Sequence, residues 1–501
     1  MKFTNRECLE KMLLAMQQGI VPVLGSSDTA KVAFGTVMQG LQELLKRETI
    51  TPTILKNHFP AGLDIANRQI ELLASLNRQE VVNLKASYMQ VASFNPAWEN
   101  VSGLQKKYDE LMTHLENCSR ALFDCTSTAS AEQKLKISGL LKQAAEWELS
   151  FVNQQGQPLP ASNPGQTLVS TLDAAPLEAF IRKQLPESRT ITVENIQRVL
   201  GGFGKETWLF DLVTDAGLQP LVVRKNNIAP GLLDRGTWQI NQEFSLIQLV
   251  YQEGITIPEP LWMSMKEPGI NTPFFIARRV SGKAMGTFMK GNDDLTEGLW
   301  CQVAEQLAKI HTIPIQRFSG YISEFYGDEL QNATASQGMR HYLNWWHDYW
   351  KSFDRISSPM EIYLFDWLYN NLPDDRRPAS LIHSDFGPHN MLADGDRLTA
   401  ILDWESTLFG SPAMDLAYVK RWVTETMDWQ NFVDHYERCG GPHIDQAEYA
   451  FCDALTYMRT LTGTNMSSAN LRFHKSTEYK ELLLGLQFVP QMMISAFNNT
   501  V

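Results

Sequence analysis

The sequence is poor in cysteine and has no long apolar run. Its six cysteines are scattered among 501 residues without a C-x-x-C spacing, so the pattern predicts neither a zinc site nor a disulfide framework. No apolar stretch reaches the roughly 18 residues of a membrane helix. The start, Met1 to Glu7, is polar and lacks the uninterrupted apolar core of a signal peptide. These absences predict a cytoplasmic protein that has no membrane partner.

Basic residues are fewer than acidic ones. The chain has 44 Lys and Arg against 56 Asp and Glu, a formal net charge of -12. Residues 1–150 hold 16 of each sign, so the whole acidic excess lies after them. Nucleic-acid binding requires a basic face, and this balance argues against it. The excess is compatible with a cationic substrate, although most acidic surfaces serve solubility.

Residues 1–150 show helical spacing of apolar positions almost throughout. A continuous seam runs from Val101 to Leu122 in steps of three and four. Neighbouring helices can cover that seam, so a helical bundle is favoured, with a coiled-coil dimer as the alternative. We find no catalytic constellation here, and docking of a partner protein or self-association is the hypothesis for this segment. The predicted helices are Arg6–Gln17, Thr29–Arg47, Ala61–Leu76, Gln79–Val91 and Ala131–Leu149.

A domain boundary is predicted after this bundle. Residues 151–172 carry no charged side chain, and residues 153–166 are rich in Gln, Asn, Pro and Gly. Turn formers with little to bury are typical of an extended linker. The predicted organisation is an all-α domain of unknown role at 1–150, a linker at 151–172 and a second domain at 173–501.

The segment His383–Asn390 organises the rest of the chain. It reads H-x-D-x-x-x-x-N, and an apolar strand that ends at Asp403 follows it. In phosphoryl transfer, an Asp such as Asp385 accepts the proton of the attacking hydroxyl, while the Asn and the strand-end Asp hold a metal at the phosphates. These oxygen ligands suit Mg²⁺. A polar turn with Asp403 as a cap is the simpler interpretation, but the second Asp at this distance weakens it.

Residues 383–418 resemble the catalytic core of the aminoglycoside phosphotransferase and choline kinase superfamily. The stretch Leu402–Glu405 reads L-D-W-E, and Gly410–Ala417 reads G-S-P-A-M-D-L-A, with Ser411 where an acidic residue is usual. Asp385–Gly387 spells the D-F-G of protein kinases, but by position it belongs to the catalytic loop. The metal ligands implied by the resemblance are therefore Asn390 and Asp403.

The resemblance covers residue 193 to about residue 423 and implies an α+β, bilobal, protein-kinase-like domain. A small antiparallel β lobe is expected at about 186–280 and a large helical lobe at about 281–501, preceded by the all-α bundle. The details L-V-V-R, G-L-L-D-R and P-E-P-L-W are most similar to the branch of kinase-like domains that are linked to acyl-CoA dehydrogenases.

A glycine turn comprising Gly201, Gly202 and Gly204 stands between two predicted strands. Such a turn lets backbone amides approach phosphate oxygens. A Walker loop is excluded because Glu206, and not Ser or Thr, follows the G-K pair. A dinucleotide fingerprint is disfavoured because a strand pattern follows in place of a helix. By itself the turn indicates a plain hairpin, and the resemblance makes it the nucleotide loop.

The strand after this hairpin ends in two cations, Arg224 and Lys225. Neighbours on a strand point to opposite faces, so only one of them can face a nucleotide. The resemblance favours Arg224, with Glu243 of the next helix as its partner. It also implies that the backbone near Ala277, Arg278 and Arg279 meets the base of the nucleotide. These residues complete the predicted nucleotide site.

The implied function is transfer of the γ-phosphoryl group of ATP to a hydroxyl group of a small molecule, with Asp385 as base and Mg²⁺ as cofactor. The alternative is a pseudokinase, or a regulatory scaffold whose helical domain docks a partner. A protein kinase is disfavoured because no A-P-E segment occurs and only 12 positions separate Asp403 from Asp415. The acceptor (an aminoglycoside, an amino alcohol or a hydroxyacyl thioester), the choice of ATP or GTP and the oligomeric state stay open.

Overall fold

The computed structural model describes residues 28–93, 101–154, 172–199, 205–226, 239–287, 290–353, 355–472 and 489–500, with three isolated positions before residue 28. The described helices are α1 (Asp28–Ser75), α2 (Val81–Ala92), α3 (Val101–Cys125), α4 (Ala131–Gln154), α5 (Ala174–Gln184), α6 (Ile240–Gln252), α7 (Glu297–His311), α8 (Ser319–Phe325), α9 (Ala335–Ser352), α10 (Pro359–Asn370), α11 (Ala413–Val423), α12 (Trp429–Arg438), α13 (Gln446–Arg472) and α14 (Val489–Asn498). The described strands are β1 (Ile191–Val199), β2 (Lys205–Thr214), β3 (Gly217–Asn226), β4 (Pro260–Ser264), β5 (Phe274–Arg278), β6 (Lys283–Ala284), β7 (Ser380–Ile382), β8 (Met391–Asp394), β9 (Arg397–Ile401) and β10 (Leu408–Gly410).

The chain forms two compact units. Unit 1 comprises Met1–Thr167, His347–Asn371 and Tyr457–Val501, and unit 2 comprises Leu168–Trp346 and Leu372–Thr456. The sequence analysis divides the chain at 150 and 173 instead, and so assigns residues 347–371 and 457–501 to the second domain. In the structure α10 and α14, which lie in these two segments, pack against α4 of the helical bundle.

Unit 1 contains α1, a helix of 48 residues. The sequence analysis predicts two separate helices here with a break between residues 47 and 61, whereas α1 runs through Pro52 and Pro60 without interruption. Each proline removes one backbone donor from the helix. Burial of the side chains between the two prolines stabilises this part of the helix nevertheless; these are Ile54, Leu55 and Phe59.

The apolar seam of α3 is buried inside unit 1. Leu111 and Leu115 are fully buried, and their core includes Phe59 of α1 and Trp147 of α4. The Trp147 indole Nε1–H also donates to the backbone oxygen of His58 at 3.0 Å, which joins α4 to α1. Helices of the same chain therefore cover the seam, as the bundle prediction requires.

Helix α10 begins at carboxylates of two bundle helices. Glu148 of α4 accepts hydrogen bonds from the Met360 N–H (2.9 Å) and the Ser358 hydroxyl (2.9 Å), and Glu116 of α3 accepts one from the Ser358 N–H (3.0 Å). Carboxylates at a helix N-terminus satisfy free N–H groups and interact favourably with the helix dipole. These contacts join residues that are more than 200 positions apart in the sequence. They are the reason that α10 belongs to the helical unit.

Burial makes Glu148 sensitive to pH. Desolvation raises the pKa of its carboxyl group to about 8 from 4.5, and the nearby Glu361 and Glu116 add to the shift. The folded state therefore holds a proton that the unfolded state has already lost, and stability falls as the pH rises from about 5 to about 8. We expect Glu148→Gln to reduce this slope by up to about 1.4 kcal/mol per pH unit, in free energies of unfolding measured across that range.

The matched control for this prediction is Glu146→Gln, because Glu146 lies on the same helix and is exposed. That variant should melt with the pH dependence of the wild-type chain. Equal pH slopes for wild type and Glu148→Gln would contradict the prediction.

Unit 2 contains a five-stranded sheet of order β1-β2-β3-β5-β4, in which all neighbours are antiparallel. Buried and half-buried residues alternate along β2, as expected of a strand that packs against a core. The β2–β3 hairpin closes at Gly217, whose φ of +110° favours glycine. The connection from β3 to β4 contains α6.

Helices α5 and α6 cover opposite faces of this sheet. Val223 of β3 and Phe274 of β5 share a core with α5, whereas Phe275 and Ala277 of β5 share one with α6. Since side chains alternate along a strand, the faces of the two cations of β3 follow from these cores. Arg224 lies on the α6 face and Lys225 on the α5 face.

The helical part of unit 2 is built around α7. Trp300, Val303 and Leu307 of this helix are fully buried in a core that also contains residues of α11 and α12. The helix begins after Thr296, whose hydroxyl accepts a hydrogen bond from the Leu299 N–H at 3.2 Å and caps the first turn. Two small sheets, β6–β8–β9 and β7–β10, lie in the same unit and carry the predicted catalytic loop.

The predicted α+β class is confirmed: an antiparallel sheet precedes a helical part, and an all-helical segment precedes both. Within the described part of the chain, the helices lack the combination of length and apolarity that a membrane span requires.

Candidate active site

The catalytic loop follows β7, and a buried carboxylate fixes the conformation of its first residues. Asp415, in the first turn of α11, accepts hydrogen bonds from the backbone N–H groups of His383 (2.9 Å) and Ser384 (2.6 Å). These bonds hold Ser384 at a φ of +63°, a conformation that is uncommon for a residue other than glycine. Asp415 is itself bonded to the imidazole of His311 at 3.1 Å. The loop is thus anchored from the helical part of unit 2.

His383 is a structural member of the loop. Its Nε2 lies 2.8 Å from the backbone oxygen of Leu402, which can only accept, so Nε2 carries the proton. Its Nδ1 then accepts from the Asp385 N–H at 3.3 Å. Complete burial lowers the pKa of His383, which keeps the ring neutral. The imidazole therefore joins the catalytic loop to the strand before Asp403.

The carboxylate of Asp385 is held by two side chains. The Asn390 amide donates to Asp385 Oδ2 at 2.9 Å, and the Tyr418 hydroxyl donates to Asp385 Oδ1. His389 Nε2 lies 3.5 Å from the same Oδ1. The carboxylate is half-buried, so it is oriented by its neighbours and still open to an acceptor. These are the properties of a positioned general base.

Asp403 follows β9 in a left-handed conformation, with a φ of +65°. The Leu402 N–H donates to the backbone oxygen of Asn390 at 2.7 Å, which fastens this turn to the catalytic loop. Asp403 Oδ1 accepts a hydrogen bond from the Arg224 guanidinium at 2.5 Å. Strain at non-glycine residues is common at functional sites, where the surrounding structure maintains it.

Arg224 and Asp403 belong to a charge cluster of five buried or half-buried groups. Arg224 Nε lies 3.1 Å from Glu243 Oε1, and its terminal nitrogen lies 3.7 Å from Glu405 Oε2. Lys205 Nζ lies 3.2 Å from Glu243 Oε2 and also contacts Glu405. Three carboxylates thus surround two cations, and these five residues carry a formal surplus of one negative charge.

Burial and the neighbouring charges shift the pKa of three of these groups, Asp403, Glu243 and Lys205. Burial raises the pKa of Asp403 to about 7, and Glu405 and Glu243 add to the shift although Arg224 opposes it. Burial also opposes the charge on Glu243, but Arg224 and Lys205 outweigh it and lower the Glu243 pKa. For Lys205, burial is outweighed by Glu243 and Glu405, so the Lys205 pKa is raised. The cluster can therefore accommodate a further cation next to Asp403.

Lys225 has a different environment. Its Nζ lies 3.0 Å from Glu206 Oε2, on the face of the sheet that α5 covers. The structure therefore brings Arg224, and not Lys225, together with Glu243 and Asp403. The predicted pairing of Arg224 with Glu243 is present.

The predicted base-binding segment lies at the end of β5. Ala277 is buried, and it shares the α6 face of the sheet with Arg224. The backbone N–H of Arg278 donates to the oxygen of Glu259 (2.9 Å), and that of Arg279 donates to the oxygen of Pro220 (3.0 Å). Those two N–H groups already have partners inside the sheet.

Three predicted glycines, Gly201, Gly202 and Gly204, lie outside the described residues. The role proposed for their turn therefore stays a prediction.

Four contributors to the site were not predicted: Lys205, Glu405, Asp415 and Tyr418. Three of them stand in quoted motifs, as the Lys of the G-K pair, the Glu of L-D-W-E and the Asp of the G-S-P-A-M-D-L-A segment. The position of these three residues in the motifs was therefore the sequence signal that could have identified them. Tyr418 had no local signal, since its contact with Asp385 arises from the packing of α11 against the catalytic loop.

Ser411, where the family resemblance expects an acid, also has a partner that only the structure reveals. Its hydroxyl donates to the carboxylate of Glu448 on α13. An acidic group is therefore present at this turn although residue 411 is not acidic.

The donor set fits magnesium. The Asn390 amide nitrogen is directed at Asp385, so the amide oxygen is the atom of this side chain that remains to bind a cation. Asp403 contributes a carboxylate from a cluster with surplus negative charge. An amide oxygen and a carboxylate are hard ligands of the kind that Mg²⁺ binds together with phosphate oxygens.

Comparison with known proteins decides the family. A family model described as the phosphotransferase enzyme family matches residues 195–453, which is more than half of the chain. The chain belongs to the phosphotransferase enzyme family. The predicted superfamily is therefore confirmed, and the matched residues include every described member of the charge cluster and the catalytic loop.

Curated proteins that the chain resembles support the predicted branch. The chain is 28% identical over 319 residues to acyl-CoA dehydrogenase family member 11 of Pongo abelii, covering 61% of this chain and 38% of that protein. It is 25% identical over 245 residues to hygromycin-B 4-O-kinase of Escherichia coli, covering 44% of this chain and 60% of that enzyme. The chain thus spans less than two fifths of the length of the first of these relatives.

Among solved structures of phosphotransferases, the chain resembles spectinomycin phosphotransferase crystallised with ADP and spectinomycin. The TM-score is 0.42 and the sequence identity is 13%, with 66% of this chain and 99% of that chain covered.

Proposed function

We propose that this chain is a small-molecule kinase, which transfers the γ-phosphoryl group of ATP to a hydroxyl group of its acceptor. The observation that carries the proposal is a continuous set of contacts from base to phosphate-binding cation. Asp385 is bonded to Asn390, Asn390 to the residue before Asp403, and Asp403 to Arg224. Membership of a phosphotransferase family supports the same reaction class.

In the proposed reaction, Asp385 accepts the proton of the acceptor hydroxyl while Tyr418 and Asn390 keep its carboxylate in place. The acceptor oxygen forms a bond to the γ-phosphorus, the bond to the β–γ bridging oxygen breaks, and ADP leaves. Arg224 and Lys205 supply positive charge and N–H donors for the phosphates. Asn390 and Asp403 would hold Mg²⁺, which would neutralise charge on the phosphate oxygens. Positioning and charge stabilisation then account for most of the rate gain.

The experiment that tests the proposal is nucleotide turnover with Mg²⁺ over a panel of hydroxylated acceptors. The panel contains aminoglycosides, choline, small amino alcohols and hydroxyacyl-CoA esters, and each acceptor is assayed with ATP and with GTP. The similarity to acyl-CoA dehydrogenase family members supports the inclusion of the thioesters. We expect turnover to be stimulated by one class of acceptor. Nucleotide binding without stimulation by any class would favour the pseudokinase alternative, and absence of nucleotide binding would overturn the proposal.

Lys205 is expected to contribute to phosphate binding in addition to Arg224. Its side chain is 3% exposed and contacts Glu243 and Glu405. We expect Lys205→Met to lower kcat/KM for the nucleotide about 100-fold, because a preorganised donor at developing charge is worth an effect of this size. Steady-state kinetics at saturating acceptor measure it. A variant that keeps at least half of the wild-type kcat/KM would remove Lys205 from the site.

Tyr418 is expected to act as a positioning residue through Asp385. Loss of a hydrogen bond to a charged group costs about 1.5–3 kcal/mol, so Tyr418→Phe should lower kcat by about tenfold or more. Because the hydroxyl contacts the base, KM for the nucleotide should change little. The exposed Tyr251 provides the matched control, Tyr251→Phe. A change in KM with unaltered kcat would contradict the positioning role.

A further inference from the structure

The helical part of unit 2 contains a second group of ligand-type side chains, apart from the charge cluster and the catalytic loop. Glu305 lies on α7, His435 lies on α12, and Cys439 caps the end of α12. One ligand atom of each residue lies within 4.8 Å of the other two, and no other trio of His, Cys, Asp and Glu in the described part of the chain is gathered this closely.

The geometry of this group follows from helix packing. The Cys439 N–H donates to the His435 oxygen at 3.0 Å, so the helical turn continues and the two side chains lie one turn apart on the same face. That face is directed at α7, where Glu305 Oε1 lies 3.2 Å from His435 Nε2. Three ligand atoms from two helices therefore converge at one point.

The chemistry of the three ligands points to a thiophilic divalent cation. We propose that Glu305, His435 and Cys439 bind Zn²⁺ or a similar transition metal ion. A thiolate, an imidazole and a carboxylate oxygen are the ligand types that zinc takes, and three protein ligands leave one tetrahedral position for water. Magnesium prefers oxygen ligands alone, so this site selects a different ion from Asn390 and Asp403.

A thiol and a guanidinium border the site. Cys301 stands one turn before Glu305 on α7. Arg438 lies among these groups, and its guanidinium is 3.4 Å from His435 Nδ1. The Arg438 side chain is exposed. It can therefore turn into solvent when a bound metal ion neutralises the negative charge of the ligands. Binding also releases the Cys439 proton, so affinity falls as the pH falls.

The site adjoins the support of the catalytic loop. The hydroxyl of Tyr436, the residue after His435, lies 2.8 Å from His311 Nδ1, and His311 is bonded to Asp415. An ion that joins α7 to α12 at His435 would stabilise this contact. Metal binding is therefore expected to raise the melting temperature of the chain in proportion to the logarithm of free metal concentration above the Kd.

The test uses the full chain, freed of metal by a chelator and kept reduced with a phosphine. Mg²⁺ is present in excess to occupy the oxygen ligands of the active site. Co²⁺ is titrated while thiolate-to-cobalt charge-transfer absorption is recorded, and Zn²⁺ is then added to displace it. The variants are Cys439→Ser, His435→Gln and Glu305→Gln. His443→Gln is the matched control, because His443 is exposed near the end of α12 and outside the trio.

We expect one Co²⁺ per chain with a charge-transfer band that Zn²⁺ abolishes. Cys439→Ser should eliminate the band, and the other two ligand variants should weaken affinity at least about tenfold. His443→Gln should bind as the wild type does. Loss of the band in Cys301→Ser as well would extend the ligand set to four and support the site. Absence of a band in the wild type, or equal affinity in all variants, would overturn the proposal.

Discussion

Asp385→Asn is expected to lower acceptor-dependent nucleotide turnover by a factor of about 10²–10⁴, the range supplied by a positioned general base. The asparagine has nearly the same shape but cannot take the hydroxyl proton. It also places an amide group where Asp385 now accepts hydrogen bonds from Asn390 and Tyr418. Nucleotide binding should persist, because the charge cluster around Arg224 is unaltered. Steady-state kcat and a direct nucleotide titration measure the two quantities.

The control for this variant is Asp434→Asn, since Asp434 is an exposed carboxylate on α12 that accepts a hydrogen bond from Gln430. It should retain wild-type turnover. If Asp385→Asn kept more than about a tenth of wild-type kcat, a base worth 10²–10⁴-fold would be ruled out. Circular dichroism of both variants verifies that the fold is intact.

Arg224→Met is expected to lower kcat/KM for the nucleotide by about 10²–10³-fold or more. The change removes a preorganised donor set for the phosphates, and it leaves Glu243, Asp403 and Glu405 with Lys205 alone. Breaking a buried ion pair by removing one partner is also costly to the fold. We therefore expect a lower melting temperature together with the kinetic loss.

The neighbouring lysine separates these two effects. Lys225→Met removes a buried cation from the same strand, but its partner Glu206 lies on the α5 face. It should lower the melting temperature and leave kcat/KM of the folded protein near the wild-type value. Arg224→Lys, which keeps the charge and loses the planar fork, should recover part of the activity. If Lys225→Met lost as much kcat/KM as Arg224→Met, the kinetic effect would reflect stability alone.

Short-range patterns predicted a large part of this protein. The spacing of Asp385, Asn390 and Asp403 predicted a loop and a strand end that the structure brings together, and alternation along β3 limited the predicted phosphate-binding cation to one of two neighbours. The apolar seam from Val101 to Leu122 indicated a bundle. Each of these inferences depends on residues that are close in the chain, where helix and strand geometry determines which side chains share a face.

The prediction from local sequence pattern was wrong for helix α1. The apolar spacing predicts two helices, Thr29–Arg47 and Ala61–Leu76, and leaves Pro52 and Pro60 in the gap between them. In the structure the face between the two prolines is buried, and α1 is continuous. Tertiary packing outweighed the local preference, which is the usual direction of such failures.

The sequence alone therefore determined the fold class, the phosphotransferase family and the order of the predicted catalytic residues. Tertiary structure alone decided that Tyr418 and Asp415 hold the catalytic loop and that α10 belongs to the helical unit. It also placed Arg224 beside Glu243 and Asp403, the arrangement that the resemblance had favoured. It also brought Glu305 of α7 to His435 of α12, 130 residues away. The physical reason is the same in each instance: sheet register and helix packing set the contacts between residues that are distant in the chain, and spacing along the sequence carries no information about them.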